Sequence, residues 1–474
     1  MLFDSALYII FLIVVFIGYG MVLRRSPSRV FWLLAASYLF YASWNAKYLL
    51  LIVISTVIDF TVGLGLGRAR SVRARRLLLL ASLISNLGML AFFKYANFFL
   101  DSLKQFLEGF VLGGETVNMP VVDVLLPVGI SFYTFQTLSY TIDVYRGKLE
   151  PIHDPLKFAL FVSFFPQLVA GPIVRATEFL PQLERLPSPH DVRQHSRGLA
   201  LIMVGLIKKV AIADYLALHL VDRVFESPLM YSSIEMLMAV YGYAIQIYCD
   251  FSGYSDVAIG SALLLGFRLT ENFNRPYAAC NLQDFWRRWH ISLSSWLRDY
   301  LYIPLGGSRG GPGATYRNLL TTMLLGGLWH GASWNFVIWG ALHGGVLAAN
   351  RAFQRAVARH DVWESPPAWF RQAGLVTTFH FVCFAWIFFR TTTFTAALEV
   401  LEVLSDWNWA TENLTWTLVV LILGSLTVHL TPRSWESGMR ELFVKMPWPA
   451  RGVFLLLVAI ALQDPTDREH QAFT

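Results

Sequence analysis

The feature that most constrains this chain is a series of continuous apolar runs about 20 residues long, the length an α-helix needs to span a hydrocarbon core about 30 Å thick. Lipid offers no partner to a backbone N–H or C=O, so a spanning chain is either helical or a closed barrel. A barrel would show alternating segments of about ten residues, and runs such as LYIIFLIVVFIGYGMV (7–22) do not alternate. The reading is an all-α polytopic membrane protein, a single domain over residues 1–474 with a catalytic core at about 120–350.

Composition excludes the other classes. Charged residues make up 15% of the chain, against about 25% in a soluble domain, and mean hydropathy is +0.49. Neither a disordered chain, a fibre nor a soluble enzyme fits. The formal charge of +6 is expected in cytoplasmic loops, and no nucleic-acid motif stands beside it, so no nucleic-acid partner is expected. Cys249, Cys280 and Cys383 lie far apart in sequence, which supports neither a disulfide framework nor a metal site.

Loop charges set the expected topology. Spans at about 5–23, 30–44, 47–67 and 77–100 enclose the basic loops 24–29 and 68–76. The positive-inside rule places both in the cytoplasm and the N-terminus outside. The N-terminus has Asp4 and no basic n-region, so it reads as a retained first span rather than a cleaved signal. The loop 101–123, with Asp101, Glu108, Glu115 and Asp123 against Lys104, falls outside, and a fifth span follows at about 124–144. The next run, 158–174, is short and broken by Pro166, Gly171 and Pro172, with basic residues on both flanks. A re-entrant element preserves the charge rule, and broken backbone at membrane depth requires enclosure by protein or a water-filled cavity. Further apolar stretches at about 198–224, 232–267, 318–349, 374–390, 414–431 and 450–462 bring the expectation to about nine to twelve membrane-embedded helices. A polar tail follows Leu462.

Residues 281–302 (NLQDFWRRWHISLSSWLRDYLY) carry too many charges for a central crossing. Phe285, Trp289, Trp296 and Tyr300 recur at helical spacing, which predicts an amphipathic interfacial helix. Its arginines suit either anionic membrane lipid or a phosphate-bearing donor, since guanidinium clamps phosphate bidentately. The glycine-rich loop 303–318 lacks the GK[ST] ending of a P-loop.

His330 lies in a stretch of about 30 residues without formal charge, between Arg317 and Arg351, where an ionisable group is a functional candidate. The alternative is a core histidine bonded to a carbonyl. Gly326, Gly327, Gly331, Gly340, Gly344 and Gly345 would let helices or a thin substrate approach, and Trp329, Trp334 and Trp339 could wall a tunnel. His343, 13 residues on, sits roughly 220° round an ideal helix and cannot share a face with His330. No serine-hydrolase elbow or HExxH zinc motif occurs.

The segments NFNRPYAACNLQDFWRRWHISLSSWLRDYLYIPLGG (272–307) and GGLWHGASWNFVIWGALHG (326–344) resemble the membrane-bound O-acyltransferase family. PVGISFYTFQTLSYTIDVYRG (127–147) and FVSFFPQLVAGPIVRATEFLPQL (161–183) are similar to its bacterial alginate O-acetyltransferase branch, and the likeness covers about residues 1–460. The chain departs from that pattern at its end, stopping at Ala472-Phe473-Thr474 where relatives often continue with an aromatic run.

The resemblance implies a helical bundle around a central tunnel in the cell inner membrane. His330 matches the active-site histidine and His290 the second family histidine. It implies a thioester donor, acetyl-CoA or an acyl carrier, met at its phosphates by Arg287 and Arg288 with Arg298 and Arg309. Trp289 and Trp329 belong to the expected donor site, and Asn335 or His290 would orient the acceptor or donate to the oxyanion. No bound cofactor or metal is expected. The implied partners are a polysaccharide acceptor and periplasmic acetyltransferase proteins. A polysaccharide or lipid-linked-sugar transporter, or a secretion-complex scaffold, also accounts for an aromatic-lined membrane bundle. A transporter predicts repeat symmetry between halves, which the sequence does not show.

Overall fold

Apolar runs with short polar links can satisfy their backbones only as helices, and the computed structural model contains no strand among the described residues. It describes Phe3 and residues 5–22, 26–111, 118–123, 125–169, 171–187, 191–357 and 367–462. Arg24, Arg25, Glu115 and the tail 463–474 lie outside these, as does the unusual C-terminal ending. Helices α1 (Ala6–Ile17), α2 (Ser26–Asn45), α3 (Leu49–Arg68) and α4 (Val72–Leu90) follow the first four runs. The Ser5 and Ser71 hydroxyls cap α1 and α4 by accepting from the Tyr8 and Ala74 N–H groups. A wide turn leads α4 into α5 (Ala96–Phe106). The fifth span is shorter than expected: α6 covers Ile130–Tyr145, and its start at Gly129 has φ 76°, a conformation that glycine adopts without strain.

The broken run is re-entrant. It forms α7 (Pro155–Ser163) and α8 (Phe165–Leu168), with every residue from Phe158 to Leu168 buried, and leads through extended backbone into α9 (Ala176–Glu184). Both flanks sit at one end of the bundle. Pro151 packs over Gly67 at the end of α3. Arg175 pairs with Asp299 at 2.7 Å, and the Asp299 carbonyl accepts from Arg146 just after α6.

The second half wraps α10 (Val192–Leu206), α11 (Asp222–Glu226) and the 32-residue α12 (Ser233–Leu264). The expected amphipathic helix is instead broken into α13 (Leu282–Trp286) and α14 (Ile291–Leu297), with His290 at the break. Phe285, Trp289, Trp296 and Tyr300 are nevertheless all buried, as their spacing required. The long 318–349 run is also two helices, α15 (Gly311–His330) and α16 (Trp334–Val357). These pack backbone to backbone: a Cβ on Gly327 would strike the Phe336 carbonyl, and one on Gly340 the Met323 carbonyl. The glycines therefore serve helix packing. Helices α17 (Ala368–Arg390), α18 (Phe394–Ser405), α19 (Trp416–Leu430), α20 (Arg433–Lys445) and α21 (Trp448–Ala461) complete the chain, and α18 and α20 were not among the expected apolar stretches.

Among the described residues, three helical stretches are by themselves long and apolar enough to cross a bilayer: Ser26–Arg68, Val72–Gly109 and Ala368–Arg390. That is fewer than the about nine to twelve embedded helices expected. Helices α12, α15 and α16 have sufficient length, with 32, 20 and 24 residues. Polar groups buried inside the protein, such as Ser252, Ser255, Asn318 and Thr322, lower the hydropathy of α12 and α15.

Candidate active site

The break before α14 organises the first half of the site. His290 has φ 43°, a left-handed conformation uncommon outside glycine, and is fully buried. Asn272, itself 1% exposed, holds this turn. Its Oδ1 accepts from His290 Nδ1 at 3.1 Å, Ser292 N at 3.2 Å and Ser292 Oγ at 3.0 Å, while its backbone carbonyl accepts from Ile291 N at 2.9 Å. An amide oxygen only accepts, so the His290 proton sits on Nδ1. Nε2 keeps its lone pair and has no protein partner.

The second half comes from the end of α15. His330 is that helix's last residue, half-buried, with Trp329, Trp339 and Phe389 rings about it at 5.0, 5.1 and 5.1 Å. The Trp329 indole lies between the two histidines, 5.0 Å from His330 and 5.9 Å from His290. The chain then reverses at residues 331–333, so His343 returns to the cluster despite its phase on a continuous helix. Trp286 Nε1 donates to His343 Nδ1 at 3.3 Å, and the His343 ring lies 4.6 Å from Trp339. His330 and His343 pack against the same Trp339 ring, at 5.1 and 4.6 Å. Among the described residues no three His, Cys, Asp or Glu side chains form a metal-holding group.

Two neighbours from the first half of the chain were not legible in sequence. Lys94 Nζ donates to the Trp329 carbonyl and to Ser131 Oγ, the latter at 3.2 Å, and lies over the Trp329 and Tyr95 rings. Tyr95 OH donates to the Leu328 carbonyl at 2.6 Å. Consecutive residues thus cap consecutive carbonyls at the end of α15.

The other expected residues divide. A cavity of about 410 Å³ is lined by Arg287, Arg298 and Arg351 together with Trp286, Ser294, Ser295 and Thr322. Its Trp286 wall is the residue bonded to His343. Arg287 and Arg351 make no ion pair among the described residues, which leaves them for an anion. Arg298 pairs with Asp299 at 2.7 Å. Burial raises the Asp299 carboxyl, but the hydrogen bonds and charges of Arg298 and Arg175 outweigh it and hold the carboxyl below its ordinary range.

Four expectations need correction. Arg288 is committed to Asp284 at 2.9 Å and does not line the cavity. Trp289 is 2% exposed, stacked on Phe285 in the core. Asn335 donates to the Thr391 carbonyl at 2.9 Å and hydroxyl at 3.1 Å, so its amide ties α16 to the end of α17 rather than facing a reacting oxygen. Trp334 is 56% exposed beside Phe98 rather than walling a tunnel.

Residues 28–397 match the membrane-bound O-acyltransferase family. The probable alginate O-acetylase AlgI of Pseudomonas aeruginosa is 42% identical over 90% of this chain and 78% of its own length. The peptidoglycan O-acetyltransferase of Helicobacter pylori is 40% identical over 85% of this chain and 79% of its own. The teichoic acid D-alanyltransferase of Bacillus subtilis is 27% identical over 55% of this chain and 68% of its own.

Proposed function

The chain belongs to the membrane-bound O-acyltransferase family and is an integral-membrane O-acyltransferase, and from that premise we propose that it moves an acetyl group from cytoplasmic acetyl-CoA for O-acetylation of an exported or cell-surface polysaccharide. The transfer is direct or passes through a periplasmic acetyltransferase partner. The reading places the chain in the inner membrane, with its N-terminus outside and the basic loops facing the cytoplasm. The observation that carries it is the pairing of His290 and His330 across Trp329, beside a cavity lined by three arginines.

Arg287 and Arg351 meet the donor's phosphates. His330 takes the proton of the acceptor hydroxyl as its oxygen attacks the thioester carbonyl. The tetrahedral oxyanion then collapses, the C–S bond breaks, and the thiolate leaves with the proton from His330. His290 offers only an acceptor lone pair at Nε2, so it accepts from a second hydroxyl of the acceptor, orients it, and cannot donate to the oxyanion.

The test is purified full-length protein with radiolabelled acetyl-CoA, following free CoA and protein-bound label. Wild type is expected to release CoA or take up label, and His330→Ala to lose both while eluting as the same species. A fully active His330→Ala protein would refute the assignment. A wild type inert to acetyl-CoA but active with an acyl carrier protein would refute the donor.

A further inference from the structure

The acyl-transfer reading leaves the developing oxyanion without a donor. Both side chains expected from sequence to supply one are committed elsewhere: the Asn335 amide to Thr391, and the single His290 proton to Asn272. In a low-dielectric site, stabilising charge that develops in the transition state is usually the largest contribution to rate, provided the stabilising group is already in place.

We propose that Lys94 is that group, a fixed ammonium at the end of α15 that stabilises the oxyanion formed beside His330. Three observations carry the assignment. Lys94 forms no ion pair with a carboxylate among the described residues; its ammonium is held by a carbonyl, a hydroxyl and two aromatic faces. An ammonium inside a membrane bundle without an anion is costly and marks function by default. Its fixed acceptor is the carbonyl of Trp329, the residue before His330, so helix α15 registers the cation and the imidazole to one another. The Trp329 ring under the ammonium is the one that stands 5.0 Å from His330. Capping the carbonyl end of a helix with a cation is favourable in itself, and this explains how the ammonium stays in position between turnovers. Lys94 neither gives nor takes a proton in this scheme. It faces the oxyanion while His330 carries the proton from hydroxyl to departing sulfur.

Tyr95 supplies the internal control, because its bond to the Leu328 carbonyl belongs to the same clamp and carries no charge. This inference rests on the acetyl-CoA reading, and the test separates the two. Full-length wild type, Lys94→Arg, Lys94→Gln, Lys94→Met and Tyr95→Phe are purified, checked for an unchanged elution profile, and assayed for acetyl-CoA turnover. Lys94→Gln, which keeps a donor and loses the charge, is expected to lower kcat by about 10²–10³. Its KM for acetyl-CoA should stay within about threefold of wild type, the pattern of an interaction made only in the transition state. Lys94→Arg is expected to recover at least about a tenth of wild-type kcat, and Tyr95→Phe to stay within about threefold. A Lys94→Gln protein with wild-type kcat, or a folded Lys94→Arg protein as inactive as Lys94→Met, would overturn the proposal. Should Lys94→Met not fold, the Gln and Arg variants decide alone. A wild type that turns over no acetyl-CoA means that the donor reading has failed; polymer-bound ester in cells carrying the same variants then decides Lys94.

Discussion

Replacing Asn272 by alanine tests whether the orientation of His290 matters to the reaction. The Asn272 amide oxygen accepts three bonds, from His290 Nδ1, Ser292 N and Ser292 Oγ, all within 3.2 Å. Alanine removes the acceptor from a site where Asn272 and His290 are both almost wholly buried. The Ser292 hydroxyl can rotate to another partner, but the Ser292 N–H and the His290 Nδ1–H cannot. Leaving a buried donor unpaired costs about 1–3 kcal/mol, so with two donors the variant should lose about 2–6 kcal/mol of stability. The proton of His290 is then no longer confined to Nδ1, and the Nε2 lone pair is no longer assured. Loss of a side chain that orients a functional histidine typically costs about 10–100-fold in activity. The prediction is a lowered thermal midpoint in detergent, together with acetyl-CoA turnover per folded molecule down by about that factor. Asn272→Asp retains an acceptor for all three donors and should retain most of the turnover. An alanine variant that is less stable yet turns over like wild type would show that the Asn272–His290 bond is purely structural, and the role given to His290 would fall.

Arg287→Ala and Arg351→Ala should each raise the KM for acetyl-CoA by about 10–100-fold with kcat little changed, since a hydrogen bond to a charged group contributes about 1.5–3 kcal/mol; Arg288→Ala, its charge already committed to Asp284, should leave KM unchanged, and steady-state kinetics separates the two outcomes. Asn335→Ala should lower the thermal midpoint by the equivalent of about 1–3 kcal/mol while donor turnover per folded molecule persists, because its amide holds Thr391. Asp299 is held below its ordinary range in the folded protein by Arg298 and Arg175. The stability it contributes is therefore present above the ordinary carboxylate value of about 3.9 and is lost as pH falls through the folded value. The difference in thermal midpoint between wild type and Asp299→Asn should thus be steady near neutrality and close below about pH 4.

Apolar run length made the helical membrane class legible, and the loop charges anticipated the re-entrant α7–α8 segment, because both depend on local composition alone. Tertiary reversals were not legible. Counting residues along one helix put His343 on a different face from His330, yet residues 331–333 turn the chain so that α16 lies back against α15. A continuous amphipathic helix was expected over 281–302, and the aromatic spacing survived although the helix did not. The break falls at His290, whose left-handed backbone Asn272 holds from outside the segment. The arginines were indistinguishable by sequence. Only the placement of Asp284 and Asp299 shows that Arg288 and Arg298 are paired while Arg287 and Arg351 are not. Lys94 lay in an ordinary apolar span, and nothing local links it to Trp329, 235 positions away.

The polar groups around the imidazoles bear on how the proton moves. His290 is oriented by a neutral amide and His343 by a neutral indole N–H. Among the described residues, no carboxylate forms an ion pair with His330. A carboxylate placed there would itself need burial in the bundle, at high cost without a partner. A triad built around such a carboxylate stabilises the imidazolium between proton uptake and proton release, and this site lacks that support. On the proposed mechanism, the imidazolium that His330 becomes would therefore be short-lived, passing its proton to the sulfur as the tetrahedral oxyanion collapses. On the same mechanism the negative charge would develop on the thioester oxygen. Lys94, held at the Trp329 carbonyl, is the cation proposed to meet it, whereas a carboxylate would oppose it.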